Sequence, residues 1–176
     1  MVLTRPGFNV YTSSVKADGT FRFNSVLPGR YQTSIRSAGG YFVSKMEVKG
    51  SALRNGLIEI ADGDAAAVAI TASDETGSVS GYVKSGDQAV AGVLAVLVPA
   101  GGEAALRYRG FQTESDGSFD FRNVPAGDYR LFAIEDTGFE YSNADLVRPY
   151  VATAPPLRIE AHKASSQDIV LVVAKP

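Results

Sequence analysis

Cysteine and tryptophan are absent from this chain, and histidine occurs once in 176 residues. Without thiols there are no disulfide staples, no thiolate nucleophile and no cysteine metal site. The lone His162, beside Lys163 in a loop-like stretch, cannot supply the clustered ligands of a zinc hydrolase and reads as a solvated turn residue. Neither charge sign dominates: 17 Lys and Arg against 19 Asp and Glu leave a net charge of −2. The basic residues are scattered singly, so the footprint of a nucleic-acid binder is missing. Long apolar runs are absent as well. The first 25 residues carry Arg5, Asn9, Lys16 and Asp18, so neither a signal peptide nor a membrane span is expected there. No G-x-S-x-G elbow or phosphate-binding loop occurs. The sequence therefore offers no catalytic residue, no metal site and no cofactor site.

What is present is strand chemistry. Segments 21–23, 31–35, 57–60, 68–70, 80–83, 93–98, 119–121, 129–134 and 169–173 are short and rich in β-branched and aromatic residues. Asp-Gly, Pro-Gly and Gly-Gly pairs punctuate them, which predicts an all-β chain. Fifteen of these residues form a repeat. ADGTFRFNSVLPGRY at 17–31 returns as SDGSFDFRNVPAGDY at 115–129, with Asp18, Gly19, Phe21, Phe23, Val26, Gly29 and Tyr31 each recurring 98 positions later. A spacing that wide means two copies of a small domain rather than a solenoid. The Asp-Gly pairs predict turns, and Phe21 with Phe23, like Phe119 with Phe121, alternates onto one buried face.

Asp74, Glu75, Thr76 and Gly77 break the apolar pattern, so the expected domains are 1–75 and 76–176. The second copy opens with GSVSGYV and AGVLAVLVP; the first has only MVLTRP, which matches the tail VLVP. The first domain is thus expected to lack its initial strands. GYV, then GVLAVLVP, DGSFDF, VPAGDYRLFA and a final IVLVV strand together resemble the carboxypeptidase regulatory-like domains, a prealbumin-like group of immunoglobulin-like β-sandwiches. The resemblance spans 78–176 and the later part of the pattern in 8–73. It implies two tandem sandwiches without carboxypeptidase activity, borne in tandem on secreted or cell-envelope proteins of bacteria. The partners it implies are other domains of the parent protein or an envelope protein.

Several features invite a site and each has a structural reading beside it. Glu114, Asp116 and Asp120 crowd one turn as calcium ligands would, but the first copy has Lys16, Asp18 and Arg22 there. Lys84 could serve the internal isopeptide bond of some related surface domains, yet alternation turns Val79, Gly81 and Val83 inward and Lys84 outward. Phe139, Tyr141 and Tyr150 are the few loop aromatics, which makes a carbohydrate-binding accessory module with a glycan partner the alternative function. Counting from an inward Tyr129, the outward face holds Phe132 and Ile134, with Leu94 and Val96 beside them and Val170 and Val172 likewise apolar. That face is either an interface, with Leu94, Val96, Phe132 and Ile134 as its candidate residues, or is covered by 136–156 or by the first domain. Within 136–156, Asn143 is expected to cap a helical turn that ends before Pro149.

Overall fold

The computed structural model describes residues 1–5, 10–37, 39–54, 56–101 and 108–172. It divides into two units, Met1–Asp74 and Glu75–Pro176, and both are built from strands. In the first unit the strands are β1 (Val2–Thr4), β2 (Val10–Thr12), β3 (Gly29–Ser34), β4 (Phe42–Lys49), β5 (Ala52–Arg54), β6 (Leu57–Ile60) and β7 (Ala67–Ser73). The second holds β8 (Thr76–Ser85), β9 (Gln88–Ala89), β10 (Leu94–Pro99), β11 (Arg109–Gln112), β12 (Ser118–Pro125) and β13 (Gly127–Ile134). Helix α1 (Ala144–Thr153) follows, then β14 (Pro156–Ile159), β15 (Ala164–Ser166) and β16 (Ile169–Val172).

One strand order recurs in both units, each in its own sheet. It is β2-β1-β3-β6 in the first and β11-β10-β13-β14 in the second, antiparallel throughout, with β5 added beyond β6. The registers coincide: Gly29 and Tyr31 face Ile60 and Ile58, as Gly127 and Tyr129 face Ile159 and Leu157. Leu3 faces Thr33 as Leu97 faces Leu131, so the first strand of the chain corresponds to the end of β10.

The other sheet differs. In the second unit β8 is its centre, antiparallel to β12 and β9 and parallel to β15 and β16, and β16 joins it to the first sheet by pairing parallel with β13 at Ala133 and Ile134. Gly77, Val79, Gly81 and Val83 are buried while Ser80 and Tyr82 are exposed, the period of a strand with one face on the core. In the first unit β7 pairs with β4 alone, and no described strand stands where β8 does. Segment 21–23, expected as a strand, belongs to no ladder: its counterpart β12 is held by β8, and no described strand of the first unit pairs with it.

The cores follow. Fourteen buried residues form the main cluster of the second unit, among them Val79, Val83, Phe119, Phe121, Val124 and Leu131. Among the described residues of the first, Leu3, Tyr31 and Ile58 form the buried cluster, with Tyr11, Phe23, Val26, Met46, Val48, Ile60 and Val68 packed against it partly exposed. The phenylalanine pairs, expected to be equally buried, are not: Phe119 and Phe121 are buried, Phe21 and Phe23 half-exposed.

The second unit has a further cluster on the outer side of β10 and β13. Leu94, Val96, Phe132 and Ile134 lie there at 6% exposure or less, under Val147 and Ala154 of the 136–156 segment. They are core residues, which corrects their reading as an open interface. The cover is α1. Asn143 caps it by accepting the Asp145 N–H at 3.1 Å, as its short side chain predicts. The helix does not stop before Pro149 but runs through it. Proline removes one helical hydrogen bond; burial of Val147 and stacking of Tyr150 on Phe132, centroids 5.2 Å apart, offset that loss. Arg130 Nη1 donates to the Ala154 carbonyl at 2.9 Å and ties the helix end to β13.

Candidate interaction site

The repeated residues account for themselves through local geometry. In each turn an aspartate Oδ1 accepts a backbone N–H two residues on, Asp18 from Thr20 and Asp116 from Ser118, both at 2.9 Å. Hydrogen bonds from the Thr20 N–H and hydroxyl lower the Asp18 carboxyl, and those from the Ser118 side chain and N–H lower that of Asp116. Gly19 and Gly117 both take φ +81°, and Ser25 and Asn123 take φ +54° and +51°. Tyr31 donates its hydroxyl to the Leu27 carbonyl and Tyr129 to the Pro125 carbonyl, each at 2.7 Å. This is a tyrosine returning its hydroxyl to backbone four residues upstream, and burial pushes the Tyr31 phenol up. In the second unit every repeated side chain is thereby spent on backbone or core; in the first, Phe21, Phe23 and Val26 stay partly exposed.

The other candidates also find structural partners. Asp120 meets Arg122, Asp116 is held by its own turn, and Glu114 is exposed, so the three do not converge on one point. Lys84 Nζ pairs with Asp168, whose other oxygen accepts the Tyr82 N–H at 3.0 Å; both side chains keep about 40% exposure. The Lys84 hydrogen bond is the main reason the Asp168 carboxyl is lowered. His162 is an exposed turn residue with φ +58°. Phe139, Tyr141 and Tyr150 pack against the outer cluster: Tyr150 lies between Phe132 and Phe139, and the Tyr141 ring covers Gly110. They form no exposed aromatic platform.

The site that sequence reasoning did not name is a cleft of about 770 Å³ in the first unit. Segments 21–26 and 63–68 line it together with Leu3, Thr33, Ile58 and Ile60. No residue of β4 lines it. Superposing the repeats by register turns these residues into Leu97, Phe119, Phe121, Val124, Leu131, Leu157 and Ile159, which surround Val79 and Val83 in the main core of the second unit. The cleft is that core with β8 left out. Its rim carries Arg22, Asn24 and Asp64, the last held by the Ser51 hydroxyl and the Ala61 N–H at 2.8 Å each. Side chains meet two N–H groups of the open segment, Arg22 by Ser13 Oγ and Leu27 by the Tyr11 hydroxyl, both at 3.2 Å.

What the sequence did not disclose is that β4, with Ser44 and Lys45 interrupting its alternation through a bulge, pairs with β7 without filling the gap.

No family model and no curated protein matches the chain. Among solved structures, a DUF3823 family protein from Bacteroides ovatus is 19% identical over 54% of this chain and 43% of its own, with a TM-score of 0.34. The minor pilin GBS52 of Streptococcus agalactiae is 19% identical over 96% of this chain and 71% of its own, with a TM-score of 0.39. BcpA, the major pilin subunit of Bacillus cereus, is 16% identical over 66% of this chain, with a TM-score of 0.37. The chain spans less than half the length of the first of these and 34% of the last.

Proposed function

We propose that the chain is a non-catalytic structural and protein-interaction module of a secreted or envelope-bound bacterial protein, made of two tandem domains of the carboxypeptidase regulatory-like kind. One observation carries this reading. Residues kept identical between the copies serve turn geometry, the tyrosine-to-backbone bond or apolar packing, and none of them is a nucleophile, a metal ligand or an acid–base pair. What differs between the copies is how completely a sheet is filled, and that is a property of association rather than of chemistry. The partners are other domains of the parent protein or an envelope protein.

The competing reading, a carbohydrate-binding module, needs exposed aromatic faces. Phe139, Tyr141 and Tyr150 are engaged with Phe132 and Gly110, which favours the structural role. A glycan array probed with the whole chain separates the two. No glycan is expected to hold the chain above background. Retention that disappears in Tyr141→Ala would replace the proposal with the carbohydrate-binding one.

A further inference from the structure

The second unit is a template for what the cleft of the first unit lacks. There β8 runs between β12 and β15, antiparallel to one and parallel to the other, and Val79 and Val83 are wholly buried. The counterparts of those two flanking segments both line the cleft. Segment 21–26 keeps the turn of β12, its left-handed residue and its tyrosine bond, yet it belongs to no sheet. Sheet edges left open in this way accept a strand from elsewhere, with main-chain hydrogen bonds giving affinity and alternate side chains giving choice.

We infer that the cleft of the first unit binds an extended polypeptide strand from outside residues 1–176. The strand runs antiparallel to Phe21–Val26 and parallel to Ala65–Ala67, and completes the second sheet. The surroundings of β8 define its chemistry. A β-carbon at Gly77 would stand 2.3 Å from the Glu160 carbonyl oxygen, and one at Gly81 2.1 Å from that of Gln167. The turn that brings the first of these carbonyls so close is repeated in the first unit: Asp64 N–H donates to the Ala61 carbonyl at 3.3 Å as Lys163 N–H donates to that of Glu160 at 3.4 Å. Gly63 takes φ +77° where His162 takes +58°. The occupant therefore carries glycine where it passes the Ala61 turn, with a β-branched residue two positions further on seated over Leu3 and Ile58. A strand lacking that glycine strikes a backbone carbonyl, which cannot move aside as a flexible side chain can.

This inference rests on the reading of the chain as an interaction module and names the kind of partner. The probe is a synthetic peptide of the β8 sequence, TGSVSGYVKS, titrated into the whole chain while amide hydrogen exchange is followed residue by residue. Protection at Phe21–Val26 is expected to rise by about tenfold or more at saturation, with Phe119–Val124 unchanged. The same peptide with valine at both glycine positions should give no rise, and Ala66→Phe, which fills the cleft from within, should abolish it. No change at Phe21–Val26, an equal response to the valine peptide, or a response confined to the second unit would overturn the inference. The glycan-array result is independent of all three, so failure here leaves the non-catalytic reading standing.

Discussion

The two tyrosine hydroxyls show how much of this fold is decided by single side chains. Each sits at a buried strand position and donates to a carbonyl four residues back, closing the loop ahead of its strand. Tyr129→Phe removes the donor and leaves the Pro125 carbonyl without it; a loss of about 1 kcal/mol in the second unit is expected in denaturant melts. Gly127 precedes it at φ +158°, matched by +157° at Gly29, a region that side chains avoid. Gly127→Val should cost more than about 1 kcal/mol by the same measurement. Charge acts at this scale too. The Asp116 and Asp168 carboxyls are lowered in the folded state by the Ser118 and Lys84 hydrogen bonds respectively. A lowered carboxyl contributes stability above its unfolded pKa and loses it as pH falls through the folded value. The second unit should therefore hold constant stability near neutrality and weaken on acidification below about pH 4, and Asp168→Asn should flatten part of that decline.

Among the elements, α1 is the one in which local preference and packing disagree. Asn143 signals the start, and Pro149 signals a stop that the chain ignores because Val147 and Tyr150 gain a buried, stacked seat on Phe132. Local chemistry could show the cap; only the neighbouring sheet could show that the helix continues. Pro149 itself is exposed, so its ring adds no burial. Pro149→Ala restores an N–H to the helix and should raise the stability of the second unit by about 1 kcal/mol or more. Phe132→Ala, by removing the floor under Tyr150, should cost about 3 to 5 kcal/mol. A similar division holds for the repeat. The turns and the alternation of Phe119 and Phe121 were readable from 15 residues, because turn geometry and strand period are local. That Phe21 and Phe23 would stay half-exposed was not, since burial of such a pair depends on a neighbouring strand, which β8 supplies to Phe119 and Phe121 and no described strand supplies to Phe21 and Phe23.

At the scale of the molecule, one motif occurs in two states of completion. In the second unit β8 fills the second sheet and fourteen residues close over it; in the first a cleft lies in the same place and three residues form the buried cluster. Burial drives folding at about 25 cal/mol per Å² of apolar surface, so the first unit must be the weaker. Thermal or denaturant unfolding should show two transitions, the earlier one carrying the signal of Tyr31 and the later one that of Tyr129. The most direct test compares the repeat with itself. Native-state hydrogen exchange on the unliganded chain should find the amides of Phe119–Val124 protected close to the global limit of the second unit and those of Phe21–Val26 exchanging at least about a hundredfold faster. Equal protection at the two segments would mean that 21–26 already has a strand partner, and would contradict the open slot on which this account of the first unit depends.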